Sequence, residues 1–244
     1  MSYLLYILFG FFPSIAWLLF YLKADVHPEP KKEILAVFFF GALATVPAII
    51  FEVVLVDLFN NLKLPIMATA ILVNVIGVAL IEELVKYGAF WLKEQEINRN
   101  SQLDEPVDPV IYMIVSALGF AAIENLLFLL PIIQMNLAIM TSLFRALSAI
   151  LLHTLCSGTI GYYLALSFCN PLKRKRLVFK GILIASSLHG LYNLFIIKSG
   201  ESETSVAYLY VPLLILTGLA ISLYKDFKKL KKMGSVCKIK EVLT

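Results

Sequence analysis

Charge is scarce in this sequence. Only 16% of its 244 residues are Asp, Glu, Lys or Arg, whereas 60% are hydrophobic. Soluble globular domains carry about 25% charged and about 45–50% apolar residues. With a mean hydropathy of +0.85, a water-soluble domain, a disordered chain and a nucleic-acid-binding module are all excluded. Cysteine is scarce as well. Cys156, Cys169 and Cys237 stand at unrelated spacings, which give neither a disulfide framework nor a CxxC metal knuckle. The opening MSYLLYILFG has no Lys or Arg before its apolar run. It therefore lacks the basic n-region of a cleavable signal and reads as a retained first span. Internal repeats and low-complexity tracts are missing too.

Long apolar runs are what the chain has in abundance. Runs of spanning length fall at about 3–22, 34–58, 65–92, 109–131, 141–168, 179–199 and 205–224. They predict an all-α fold, a polytopic membrane helical bundle of about seven transmembrane helices, as one integral-membrane domain over 1–244. Asp108-Pro109 reads as an N-cap followed by proline at the first helical position of span four. Basic residues gather in alternate loops. Lys23, Lys31 and Lys32, then Lys93 and Arg99, then Lys173, Arg174, Lys175, Arg176 and Lys180 fill loops one, three and five. Seven lysines between Lys225 and Lys240 follow the last span, whereas loops two, four and six hold only Lys63, none, and Lys198. The positive-inside rule then places the N-terminus outside and the C-terminus in the cytoplasm. The KDFKKLKKMG tail reads as a cytoplasmic stop signal, with an anionic-lipid-binding segment as the alternative.

A few ionisable residues remain inside the spans: Glu82, Glu83 and Lys86 in span three, Glu124 in span four, Arg145 and His153 in span five, and His189 in span six. A charge near the bilayer centre costs about 2.5–3.5 kcal/mol on insertion scales, so such residues are functional candidates. At about 1.5 Å per residue, the carboxylates and both histidines fall within about 12 Å of one level. Lys86 stands i+4 from Glu82 and i+3 from Glu83, within pairing reach of either. The two glutamates point about 100° apart, so one can face a cavity while the other holds Lys86. Asn193, one turn beyond His189, can orient its ring or meet the same ligand. Arg145 lies two turns before His153. Gly119, Ser157, Gly161 and nearby alanines read as packing residues. Glu52 lies nearer the end of span two, can snorkel, and is given no role.

Carboxylates and imidazoles at one depth suit two kinds of chemistry. One is water activation for attack on a carbonyl, with a glutamate as general base and histidines as acid, polarising group or metal ligands. The other is proton relay or ion coordination in a transporter, and a silent scaffold is a third option. Two histidines and a carboxylate can hold zinc, here from among His153, His189 and Glu124 or one of the paired glutamates. No HExxH is present. A glutamate-only mechanism without a committed metal is slightly favoured.

The motifs themselves resemble a known family. Glu82-Glu83-Leu-Val-Lys86 resembles EExxK, and Phe120-Ala-Ala-Ile-Glu124-Asn125 resembles FxxxEN. Arg145 with His153 forms a third block and His189-Gly-Leu-Tyr-Asn193 a fourth. In this order they resemble the PrsW family of intramembrane proteases, from about the Asp25–Pro30 loop to span six. The resemblance implies a multi-pass protease of the bacterial cell membrane, cleaving a single-pass anti-sigma factor at site 1 to start a stress response. It carries over Glu82, Glu83 and His189 as essential, Glu124 and His153 as their close partners, and Lys86, Asn125, Arg145 and Asn193 as supporting residues. Its expected partners are the substrate and the lipid bilayer, with no nucleic acid.

Overall fold

The computed structural model describes residues 3–23, 29–99, 103, 105–200 and 207–233. Asp25 to Pro28 of the first loop, residues 205–206 of the expected last span, and Cys237, Lys238 and Lys240 lie outside the described residues. Among the described residues every regular element is helical. Seven stretches are long and apolar enough to cross a membrane, in register with the seven apolar runs.

Three of these spans are not plain helices, and each irregularity has a local cause. Helix α1 is continuous over Tyr3–Leu22. Span two breaks at Ala44 into α2 (Lys31–Leu43) and α3 (Thr45–Asn61). Pro47 causes the break: it donates no hydrogen bond to the Leu43 carbonyl and its ring crowds that oxygen. The Thr45 hydroxyl donates to the Ala42 carbonyl at 2.7 Å across the join. Span three runs as α4 (Ile66–Ile71), a π-helical stretch (Leu72–Leu80), and α5 (Ile81–Arg99). Span five breaks at Ser148, whose φ of −124° and ψ of −88° separate α7 (Met135–Leu147) from α8 (Ala149–Phe168).

The remaining spans shift their expected ends. Helix α6 covers Asp108–Leu129. Asp108 is its first residue rather than its cap, and its carboxylate accepts the Glu105 N–H at 2.7 Å. Helix α9 (Arg174–Ser199) starts within the basic stretch, and α10 (Tyr210–Met233) continues through the lysines. The tail after span seven is thus helix as far as Met233. Cys156 is a buried free thiol.

Helix α6 is the hub. Residues from Asp108 to Ala122 are buried without interruption as it packs against α1, α2 and α8. Gly119 permits the closest crossing: a Cβ there would lie 1.9 Å from the Phe38 carbonyl oxygen of α2. Helix α9 packs on α8 and on the π-helical stretch. The periphery presents exposed Phe39, Ile50, Val53, Leu213 and Leu214, an apolar mantle that only a bilayer solvates. Polar bonds tie like ends of the spans together. Arg174 pairs with Glu94 at 2.5 Å, and Tyr112 donates to Glu29 at 2.6 Å. At the opposite end Tyr6 donates to the Ile132 carbonyl at 2.5 Å. The loops that carry most of the basic residues therefore share one end of the bundle.

Candidate active site

Glu82 and Glu83 sit in the first turn of α5, directly after the π-helical stretch. A π-helical stretch rotates the following residues relative to an α-helical register, and such stretches recur at functional sites. The Asn74 side chain donates to the Ala70 carbonyl at 2.9 Å beside it. Gly190 brings α9 against this stretch: a Cβ there would lie 2.6 Å from Val75 Cα and 2.8 Å from the Asn74 carbonyl oxygen. The neighbouring His189 is thereby delivered to the glutamates.

At the centre stands the Lys86 ammonium, fully buried. It donates to Glu83 Oε1 at 2.8 Å and Glu82 Oε2 at 3.2 Å, and lies 2.7 Å from His153 Nδ1. An ammonium has three donors and no acceptor, so these contacts use it fully. They also set the tautomer of His153. Its Nδ1 must accept, which leaves Nε2–H to donate to Glu124 Oε2 at 2.5 Å. Glu124 is pinned from its other side by Arg145 Nη2 at 2.9 Å, while Arg145 Nε donates to Asn125 Oδ1 at 2.8 Å. Asn125 in turn donates to the Gly10 carbonyl of α1 at 3.1 Å.

The paired glutamates divide into two layers. Glu83 is fully buried and accepts from Lys86, from Ser157 at 2.9 Å, and from His189 Nδ1 at 2.9 Å. Glu82 lines a cavity of about 260 Å³ together with Glu124, Arg145, His153, His189 and Tyr192. With Nδ1–H of His189 committed to Glu83, its Nε2 lies 3.7 Å from Glu82 Oε2. The two imidazole rings meet edge to face with centroids 5.0 Å apart.

Most residues singled out in the sequence thus converge, and tighter than the span depths indicated. Two placements differ from expectation. Asn193 lines the cavity, but among the described residues the partner that orients His189 is Glu83 rather than Asn193. Arg145 reaches the site from α7, across the break at Ser148, and not along the helix that carries His153. Three participants were missed. Ser157, read as a packing residue, bonds Glu83; Tyr192 lines the cavity; and Glu52 lies within electrostatic range of Glu82, Glu124 and Lys86. Ser157 stands four residues after His153 on α8, a spacing that would have found it.

One ligand atom each from Glu82, Glu83, His153 and His189 can be chosen so that all lie within 4.8 Å of one another. Imidazoles and carboxylates are the donors of catalytic zinc sites, so this set fits a metal. It differs from the expected set in that Glu124 is not part of the cluster, because Arg145 and His153 hold it. A sequence model described as PrsW family intramembrane metalloprotease matches residues 29–219. The chain belongs to the PrsW family. Similar proteins agree with this assignment. Protease PrsW of Geobacillus kaustophilus (strain HTA426) is 31% identical over 185 residues, covering 75% of this chain and 76% of that protein. Protease PrsW of Oceanobacillus iheyensis is 29% identical over 210 residues, covering 86% and 91%. Protease PrsW of Clostridioides difficile (strain 630) is 30% identical over 190 residues, covering 77% and 76%. No solved structure matches. This PrsW-family chain is a multi-pass bacterial membrane peptidase, which favours hydrolysis over the transport and scaffold alternatives.

Proposed function

We propose that this PrsW-family protease hydrolyses a peptide bond of a single-pass anti-sigma factor as the site-1 cut, within the cavity bounded by Glu82 and His189. The observation that supports this most is the division of labour between the glutamates. Glu82 faces the cavity, whereas Glu83 is locked behind it by three donors. Glu82 is assigned as the general base that takes a proton from water as its oxygen attacks the scissile carbonyl. Glu83 is the positioning carboxylate that fixes His189 and Lys86. Arg145, held between Glu124 and Asn125, presents positive charge to the cavity where the carbonyl oxygen becomes negative. The proton collected by Glu82 is returned to the leaving amine nitrogen as the carbon–nitrogen bond breaks.

A zinc ion would be held by donors drawn from His153, His189 and the paired glutamates, whose ligand atoms lie within 4.8 Å of one another. When bound, zinc supplies Lewis-acid polarisation and a more acidic water. In this structure the Lys86 ammonium is the cation shared by His153, Glu83 and Glu82. The N-terminus is assigned to the outside and the C-terminus to the cytoplasm, since the ends that carry most of the basic residues lie together.

The test is cleavage of a tagged single-pass anti-sigma factor in membranes by wild type, Glu82→Gln, Glu83→Gln and His189→Ala, with zinc content measured alongside. Loss of cleavage in all three at matched protein levels supports the assignment. Cleavage that persists in Glu82→Gln overturns it.

A further inference from the structure

Helix α1 contains none of the four motif blocks, yet Tyr6, Phe9, Gly10 and Trp17 all bond the segment from Asn125 to Ala146. Pro13, buried inside α1, makes part of this possible. A proline has no N–H, and its ring crowds the carbonyl one turn back. The Phe9 carbonyl therefore loses the donor that an α-helix would give it and accepts from two other helices instead. The Ser142 hydroxyl of α7 donates to it at 2.6 Å, and Asn125 Nδ2 of α6 at 3.3 Å. Asn125 Nδ2 also donates to the next carbonyl, that of Gly10, at 3.1 Å. Gly10 permits this approach, since a Cβ there would lie 2.9 Å from Leu126 Cβ.

These bonds set the Asn125 amide in one orientation. With its NH2 group on the two α1 carbonyls, its Oδ1 is turned to accept from Arg145 Nε at 2.8 Å. Ser142 stands three residues before Arg145 on α7, so the two share a helix face, and both are buried. One carbonyl oxygen thus fixes both the helix that carries Arg145 and the amide that orients its guanidinium. Helix α7 needs such an anchor, because the break at Ser148 frees it from the axis of α8. Further bonds from α1 hold its two ends. Trp17 Nε1 donates at 2.7 Å to the Ala146 carbonyl in the last turn of α7, where a helix leaves its carbonyls unpaired. The Tyr6 hydroxyl donates at 2.5 Å to the Ile132 carbonyl, just before the first turn.

We propose that α1 is a positioning element of the active site: Pro13 and Ser142 aim Arg145 at the scissile carbonyl through the Phe9 oxygen and Asn125. The proposal rests on Arg145 being the group that meets the developing oxyanion. Pro13 and Ser142 are positioning residues, which act through Arg145 and not on the substrate. Pro13→Ala gives the Phe9 carbonyl an N–H one turn on and draws its oxygen back into the helix, away from Ser142 and Asn125. Ser142→Ala removes the shorter of the two outside bonds and loosens α7 beneath Arg145.

Two measurements on the full protein in detergent test this, and the first needs no substrate. In protein labelled with 15N-arginine, the Nε–H signal that is missing from Arg145→Lys belongs to Arg145. Its proton should exchange slowly with water in wild type, and about ten-fold faster in Pro13→Ala and in Ser142→Ala, as the bond to Asn125 loosens. The second is cleavage of the tagged anti-sigma factor at matched protein levels. Each variant should lower kcat about ten-fold with KM unchanged, short of the 10²–10³-fold that removal of an oxyanion donor costs. In an Arg145→Lys background the same two substitutions should change kcat by less than about two-fold, because the group they position is gone. A general loss of folded enzyme would instead carry through undiminished, and that result overturns the proposal. Wild-type exchange of the Arg145 Nε–H in both variants overturns it as well. Glu82→Gln, run alongside, keeps the two readings apart. Cleavage that persists there overturns the assignment of the site, whereas an inactive Glu82→Gln beside unchanged Arg145 exchange overturns the positioning role alone.

Discussion

Replacing each paired glutamate by glutamine should have unequal consequences, because the two carboxylates occupy different layers. Glu83 accepts from Lys86, Ser157 and His189 at 2.8, 2.9 and 2.9 Å with no exposure. Glutamine keeps the shape but loses the charge, and its NH2 group faces existing donors. Removing one partner of a buried ion pair costs about 3–5 kcal/mol, so Glu83→Gln should lose stability on that scale together with activity. Among the described residues Glu82 accepts one hydrogen bond, from Lys86 at 3.2 Å, and borders the cavity. Glu82→Gln should cost about 1.5–3 kcal/mol of stability, the range for a hydrogen bond to a charged group, yet slow cleavage by about 10²–10⁴-fold through loss of the base. Denaturant titration in detergent gives the stability, and cleavage in membranes at matched protein levels gives the rate. If Glu83→Gln unfolds within about 1 kcal/mol of wild type, or Glu82→Gln proves the less stable of the two, the layered arrangement is refuted.

Other perturbations probe the surrounding shell. Gly190→Leu should push α9 off the π-helical stretch, costing about 1–3 kcal/mol by overpacking and cutting cleavage by about 10²-fold through misplacement of His189; unfolding and cleavage assays read both. Lys86→Met should raise zinc affinity at least about ten-fold in chelator competition, since the ammonium and a divalent cation draw on the same donors; lower affinity would mean that Lys86 organises the site instead. His189→Ala should reduce the zinc content of the purified protein by elemental analysis. Reporter fusions after Met233 should report a cytoplasmic location and fusions before Tyr3 an external one.

Seven spans, their order and the identity of the ionisable residues inside them were legible in the amino-acid sequence alone. The reason is that a bilayer filters for length and apolarity, which are properties of consecutive residues. The four motif blocks were legible for a related reason, because charged residues in an apolar run stand out. Their mutual arrangement was not. Sequence separation puts Glu83 74 residues from Ser157 and 106 from His189. Only the packing of α5 against α8 and α9 makes them neighbours. Helix periodicity showed that Glu82 and Glu83 diverge by about 100°. Which of them faces the cavity depends on the π-helical stretch before them and on the Gly190 contact that seats α9. Arg145 makes the same point. Its distance from His153 along the chain indicated two helical turns, but the break at Ser148 changes the route and Glu124 supplies the meeting point. Span identity follows from local chemistry, whereas hydrogen-bond partners are settled by how close two backbones can come.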